Sequence, residues 1–381
     1  MAIKKAKKGD EMIAKIFNDE ADNLEKVRHR YESDYLINPI SAYERDEDKC
    51  LVFPWAHGGN LASYWENHED EAINKDGLHW ILGQFVGIFS VLELLHEDNC
   101  RHGDLKPENI LWFRDPAGGV RTGNLKIADL GLTTFHEKEK PTKDRIRLAQ
   151  FTNALSGTFR YEPPEMDANR ANRGKDEVRS RQYDIWSMGC ILLELIIWLL
   201  EGYRALCRFQ NLTQVLWVKE YKDYFVSSLV RTKMEELAAR LRDHPDRTDL
   251  YQDLLDLVQA RLLVVGCSIE YGSYPGKRET AKVSHALIRG IYEKCAADPS
   301  YLTPVRLCEM AVANGVTAGS GSASSLPVPG IVVRRATGDM EPAPMDIPTL
   351  PVSLTSDHQG VSGLADSRGI LANKFPIASS T

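Results

Sequence analysis

Apolar residues recur along this chain at two different periods, and the change from one to the other sets the expected architecture. Ala2-Ile3-Lys4 reads as a short strand, after which Ile13, Ile16, Phe17, Leu24 and Val27 fall at near-helical spacing and predict a helix over Ile13 to His29. The run Cys50 to Trp55 predicts another strand, closed by the turn signal His57-Gly58-Gly59, and Ile81 to His96 has the periodicity of a buried helix. Asn109 to Phe113 and Asn124 to Ala128 read as short strands. Tyr183 to Leu200, Met234 to Leu241, Leu250 to Val264 and Ala281 to Cys295 read as helices. In the stretch Leu216 to Phe225, Trp217, Tyr221 and Tyr224 lie at near-helical spacing, which points to packing before it points to a peptide groove. A strand-rich start and a helix-rich end predict an α+β protein.

From about Gly315 this patterning stops. The chain becomes rich in Gly, Ser, Ala and Pro (GVTAGSGSASSLPVPG, then MEPAPMDIPTLP), with too little periodic apolar surface to offset the entropy of ordering. The expected organisation is one folded domain over residues 1–312 and a disordered tail over 313–381, with no repeat at solenoid spacing. Composition agrees with a folded domain, since 43% hydrophobic and 27% charged residues support a sizeable core. The 47 Lys plus Arg against 54 Asp plus Glu give a net charge of -7, which argues against nucleic-acid binding through bulk positive charge. Seven cysteines are scattered without a C-x-x-C pair, so neither a disulfide framework nor a zinc ribbon is indicated and a reducing compartment fits. The run Cys190 to Leu200 is interrupted by Glu194 and too short to span a bilayer, and no apolar segment follows the first lysines. An intracellular location, cytoplasmic or also nuclear, with no membrane partner, is the expectation.

The densest chemistry lies in Arg101-His102-Gly103-Asp104-Leu105-Lys106-Pro107-Glu108-Asn109, between a predicted helix and a predicted strand. Phosphoryl transfer needs a carboxylate to orient a hydroxyl, a cation near the migrating group, and oxygen ligands for magnesium. Asp104, Lys106 and Asn109 supply these three, and Ile127-Ala128-Asp129-Leu130-Gly131 adds a second carboxylate beside a glycine that would let the backbone turn. His96 and His102 are six residues apart, so one helical face cannot present both to a zinc ion.

These motifs, in this order, resemble the eukaryotic protein kinase family over about residues 1 to 310. HGDLKPEN is similar to the kinase catalytic loop, which implies Asp104 as catalytic base, Lys106 as the residue steadying the γ-phosphate, Asn109 as a magnesium ligand and His102 as a buried residue beneath the loop. Asp129-Leu130-Gly131 resembles the DFG motif, implying Asp129 as the second magnesium ligand. Gly157 to Glu165 resembles the end of an activation segment, with Thr158 bonding Asp104 and Lys106 and Glu165 in the place of a structural glutamate. Asp184-Ile185-Trp186 then matches the start of the long buried helix, whose Asp184 would hold the catalytic-loop backbone.

The resemblance further implies that Lys4 anchors ATP and pairs with Glu20, that Phe53 is the gatekeeper, and that the adenine meets the backbone of Ala56 and the carbonyl of Pro54, which has no N–H to donate. The lysines around Lys4 also suit a solvated basic end or a nuclear-import signal. Lys106 and Thr158 mark the Ser/Thr type. The implied fold is bilobal, and the implied activity is transfer from ATP with Mg2+ to protein serine or threonine hydroxyls. Departures from the family pattern are expected as well. The chain starts at the lysine strand, without the two preceding strands and glycine-rich loop; the cluster Gly315 to Gly321 lies in the tail and cannot replace that loop. Gly103 stands where many kinases carry an arginine that answers a phosphorylated loop, so that switch should be absent. Arg289 and Arg306 are the candidates to pair with Glu165. The rival reading is a truncated, kinase-like interaction module with weak or no ATP binding.

Overall fold

The computed structural model describes residues 1–6, 11–45, 48–69, 73–115, 118, 122–130, 134–135, 158–167, 181–221, 223–265 and 278–307. The tail expected from residue 313 lies outside the described residues. The short strand read at Ala2 to Lys4 extends to Ala6 as β1 (Ala2–Ala6) and pairs antiparallel with β3 (Asp48–Phe53) so that Lys4 faces Leu51. On the far side of β3 lies β2 (Ser41–Arg45), giving a three-stranded antiparallel sheet in the order β1-β3-β2. The last four residues of the central strand β3 are all buried, which is why it reads as a continuous apolar run. By contrast β2 has the sequence SAYER, with Ala42 as its one core residue, and shows no such pattern.

Between β1 and β2 runs α1 (Glu11–Arg30), which buries Phe17, Ala21, Leu24 and Val27. The same face carries Glu20 and Asn23 into the interior, two polar residues that need partners there. Arg28, His29 and Arg30 occupy its last turn, where positive charge complements the helix dipole.

The helical half begins with α2 (Leu61–Asn67), started by the Asn60 side chain accepting the Ser63 N–H. It continues with α3 (Lys75–Glu97), started by Asn74 accepting from Gly77. After α3 come β4 (Cys100–Arg101), β5 (Ile110–Phe113), β6 (Asn124–Ile127) and β7 (Thr134–Phe135), which pair β4 with β7 and β5 with β6. Next is α4 (Gln182–Glu201), in which every residue from Tyr183 to Leu200 is buried. Such a helix, apolar on all sides, belongs in the centre of a fold. At 20 residues it is longer than the apolar run suggested and is long and apolar enough to cross a membrane, yet its apolar surface is buried inside the protein.

Beyond α4 lie α5 (Tyr203–Leu212), a hairpin of β8 (Trp217–Glu220) and β9 (Asp223–Val226), α6 (Ser228–Arg242), α7 (Asp249–Leu257) with a π turn at Val258–Leu262, and α8 (Ala281–Ala297) packed along α3. The hairpin corrects the helical spacing read into Trp217, Tyr221 and Tyr224. Tyr221 takes a positive φ of 56° at the turn and is fully exposed, while Tyr224 is buried. Trp217 and Tyr224 meet edge-on at 5.5 Å on one side of the hairpin, while Tyr221 stands apart at its turn. The fold is bilobal and α+β, a small sheet with α1 on one side and a mainly helical body on the other.

The connection between the halves is held against β5. The Gly58 N–H donates to the Trp112 carbonyl at 3.0 Å and the Trp112 N–H donates to the Gly59 carbonyl at 2.8 Å. A Cβ at Gly58 would lie 2.3 Å from the Trp112 ring, so the close approach requires glycine. Trp112 in turn meets Tyr64 edge-on at 5.1 Å, and its indole N–H donates to the Thr122 carbonyl at 2.9 Å. The turn after Phe53 is thereby fixed to the strand that follows the loop of Asp104 to Asn109.

Candidate active site

The loop between β4 and β5 is shaped by a carboxylate at the start of α4. Asp184 accepts the His102 N–H on Oδ2 and the Gly103 N–H on Oδ1, each at 2.8 Å, and its Oδ2 also lies 2.9 Å from His96 Nε2. Burial alone would raise the Asp184 pKa, but the bonds from His96 and Gly103 outweigh it and hold the carboxyl below its ordinary value. Gly103 sits at φ 83°, a conformation that glycine adopts without strain. The Asp104 N–H donates back to His102 Nδ1 at 3.2 Å, so that nitrogen is the acceptor and the ring proton is on Nε2, which donates to the Ala128 carbonyl at 2.9 Å. Both ring nitrogens of His102 are thereby engaged.

The loop's charged side chains converge. Lys106 Nζ lies 3.1 Å from Asp104 Oδ2, and the Asn109 amide nitrogen donates to that same oxygen at 3.1 Å and to the Asp104 carbonyl at 2.8 Å. The other carboxylate oxygen, Oδ1, is buried and has no hydrogen-bond partner among the described residues. Burial pushes the Asp104 carboxyl above the usual range; Lys106 opposes the shift and Asp129 adds to it. A buried carboxylate oxygen without a donor is costly unless something donates to it. Oδ1 is thus an acceptor that an incoming donor could satisfy.

Across the cleft, Lys4 of β1 is shared by two acids. Its Nζ is 2.7 Å from Glu20 Oε2 on α1 and 3.1 Å from Asp129 Oδ1 after β6. Burial would lower the Lys4 pKa, yet Asp129 and Glu20 together more than reverse this, so the ammonium stays charged. Asp129 adopts φ 63°, a left-handed conformation that Asp tolerates better than most residues. The sharp turn expected from the glycine thus falls on Asp129, while Gly131 lies outside the described residues. Leu130 is buried, and its carbonyl accepts the Asn23 amide at 3.2 Å, joining α1 to this turn a second time. Phe53 is buried at the end of β3, followed by exposed Pro54 and half-buried Ala56, whose carbonyl accepts from Gly59 at 3.1 Å.

The segment from Thr158 to Asp167 lies on α4 and α5. Thr158 opens a short 3-10 turn, but its side chain lies outside the described residues, as does its expected bond to Asp104 and Lys106. Arg160 and Tyr161 both reach Glu194 of α4, at 2.5 Å and 2.9 Å. Glu165 pairs with neither Arg289 nor Arg306. Its partner is Arg278, at 2.7 Å and 3.3 Å through two nitrogens. Arg278 also donates to the carbonyls of Val264 and Gln182 and stacks over Trp186, whereas Arg306 donates to the carbonyls of Trp198 and Glu69. Arg278 was hidden in the sequence because Gly276-Lys277-Arg278 looks like an ordinary polar connection just before α8. Asn23, His96, Arg160 and Glu194 were missed for a similar reason, since each needs its distant partner to acquire meaning.

A family model described as the protein kinase domain matches residues 1–241 of this chain. Among curated relatives, the serine/threonine-protein kinase nekl-2 of Caenorhabditis elegans is 30% identical over 262 residues, covering 66% of this chain and 63% of that protein. A probable serine/threonine-protein kinase of Dictyostelium discoideum is 28% identical over 212 residues, covering 52% of this chain and 41% of the relative. A probable myosin light chain kinase of the same organism is 34% identical over 159 residues, covering 41% and 27%. The chain spans between 27% and 63% of the length of these relatives. With the kinase-domain match running through β1, the Asp104 loop, Asp129, Glu165 and α4, the chain belongs to the protein kinase domain family.

Proposed function

We propose that this chain transfers the γ-phosphoryl group of ATP to serine or threonine hydroxyls of a protein. The observation that carries this reading is the buried Oδ1 of Asp104, which has no donor among the described residues while Lys106 and Asn109 both address Oδ2. A substrate hydroxyl that donates to Oδ1 is oriented for attack, and its proton passes to Asp104 as the new oxygen–phosphorus bond forms and the bond from the γ-phosphorus to the bridging oxygen breaks, releasing ADP. Lys106 stands beside the same carboxylate and offsets negative charge as it gathers on the transferring group. Lys4, held by Glu20, presents a fixed positive charge to the phosphates farther from the acceptor. Phe53 lines the adenine side, and the Ala56 N–H and Pro54 carbonyl are the backbone groups facing the base.

Asn109 and Asp129 are the residues that would hold Mg2+. The Asn109 amide nitrogen is committed to Asp104, so its oxygen is the atom available as a ligand, and Asp129 is an oxygen donor 45% exposed at the cleft. This hard-oxygen pair fits magnesium, which when bound neutralises phosphate oxygens during transfer. Serine and threonine are favoured as acceptors by Lys106 in the catalytic loop and by the serine/threonine kinases among the relatives. A reducing intracellular compartment is part of the proposal, supported by Cys100, Cys190, Cys207 and Cys295, which form no disulfide.

The test is to incubate the chain with ATP, magnesium and casein, then hydrolyse the product and identify the phosphorylated amino acids. Phosphoserine and phosphothreonine are expected; phosphotyrosine alone, or no labelled residue, would overturn the proposal.

A further inference from the structure

Half of the large apolar side chains that are exposed among the described residues fall within one short stretch, as Leu212, Val218, Tyr221, Phe225 and Leu229. This stretch contains the β8–β9 hairpin, and alternation assigns its two faces opposite tasks. Trp217, Lys219 and Tyr224 face residues 162–167. The Trp217 indole donates to the Glu162 carbonyl at 2.9 Å, the Tyr224 hydroxyl donates to Asp167 at 2.9 Å, and Lys219 lies 3.4 Å from the same carboxylate. Arg160 adds bonds to the Gln210 carbonyl and the Thr213 hydroxyl, just before the hairpin. The hairpin and residues 160–167 are therefore one rigid piece.

The opposite face carries Val218, set across from Phe225 in register, and then exposed Glu220 two residues along β8. Among the described residues this sheet has only two strands, so each retains an edge where another strand can pair. Monomeric surfaces rarely gather apolar groups beside an available strand edge without a partner.

We propose that the hairpin is a docking edge for the protein substrate: an extended segment of the substrate adds alongside β8, placing an apolar residue next to Val218 and Phe225 and a Lys or Arg two positions away next to Glu220. This inference rests on the protein kinase reading. The bonds from the hairpin region to residues 160–167 argue for the substrate as occupant, because on the protein kinase reading this segment lies beside the acceptor hydroxyl, and a substrate that crosses it reaches the hairpin edge. Charge argues for the basic residue. The recognised chemistry is thus an apolar-x-basic triplet in an extended chain.

The experiment uses the full chain and two fluorescein-labelled peptides that share one serine acceptor. One carries a Thr-Val-Thr-Arg-Thr extension and the other a Gly-Ser extension of equal length. Fluorescence anisotropy reads binding without turnover, and phosphate transfer reads KM and kcat separately. The account predicts a KM lower by at least severalfold for the Val-x-Arg peptide at unchanged kcat. Glu220→Lys should remove about two- to fivefold of that gain, as one exposed ion pair can, and should instead favour a Thr-Val-Thr-Glu-Thr peptide. Neither Glu220→Lys nor Phe225→Asp should alter transfer to the Gly-Ser peptide. Equal binding and KM for the two peptides, or indifference to Glu220→Lys and to Phe225→Asp, would overturn docking here. The sequence Ile331-Val332-Val333-Arg334-Arg335 has the same pattern within this chain. If Arg334→Glu with Arg335→Glu tightens peptide binding, the edge belongs to that segment and the substrate assignment fails. Selective binding without any transfer would support the docking edge while rejecting the kinase activity.

Discussion

Asp184 holds Gly103 by its backbone, with Oδ1 accepting the Gly103 N–H at 2.8 Å. The same carboxylate holds His102 and faces His96, so one buried acid fixes the geometry from which Asp104 projects. Its pKa is lowered in the folded protein, so its contribution is present above the unfolded value of about 3.9 and is lost as pH falls through the lower folded value. Asp184→Asn should cost about 1 to 3 kcal/mol at neutral pH, because an amide can accept on one side only. Urea titration at pH 7 and again near the acid limit should show the gap to the native chain narrowing with acid.

Asp104 behaves in the opposite sense. Burial raises its pKa, so the rate should fall as pH drops through a value above the ordinary carboxylate range, where the base becomes protonated. Lys106 opposes the shift, and Lys106→Ala should therefore move this acid limb to higher pH as well as lower kcat. The kcat/KM profile of the two proteins reads both effects. A raised folded pKa also means that the charged form costs stability above that pKa; Asp104→Asn should raise Tm at pH 7, with the gain disappearing as pH falls below it.

Lys4 neutralises two acids at once, so its loss should exceed that of either pair. Lys4→Ala leaves Glu20, 2% exposed, as a buried carboxylate with its cation gone, a change worth about 3 to 5 kcal/mol. Lys4→Ala combined with Glu20→Gln should recover part of that stability without restoring nucleotide affinity. Thermal melts of the four proteins in the cycle, with ATP titrations, separate the structural from the binding share.

Arg278 should be far more sensitive than Arg306. It is 2% exposed and serves Glu165 and two backbone carbonyls, so Arg278→Ala should cost about 3 to 5 kcal/mol. Arg278→Lys should rescue little, because an ammonium cannot reproduce the two-pronged contact and the stacking on Trp186. Arg306→Ala should cost about 1 kcal/mol through its carbonyl bonds. Chemical denaturation of the three variants orders them.

Local pattern revealed those parts of the fold whose burial is periodic. β3 and α4 were visible because consecutive or all-round apolar residues have few other places to go, and α1 followed from its spacing. β2 and α2 were not, since SAYER and LASYWEN derive their order from a neighbouring strand and an Asn60 cap. In the site, Asp104, Lys106, Asn109 and Asp129 could be read because their chemistry is compressed into two short loops. Lys4 with Glu20 needed a family pattern, and the structure brings them to 2.7 Å. The Glu165 partner was misjudged because sequence distance does not show that the chain entering α8 passes beneath Trp186. The helical reading of Trp217 to Tyr224 failed at Tyr221, where a positive φ reverses the chain.

The central claim, that Asp104 takes the acceptor proton in phosphoryl transfer, is tested most directly by single-turnover transfer from γ-labelled ATP, comparing the native chain with Asp104→Asn at matched nucleotide occupancy. The account predicts ATP binding in both proteins and transfer to protein serine or threonine in the native chain alone. Equal transfer rates in the two, or ATP binding with no transfer by the native chain, would contradict it.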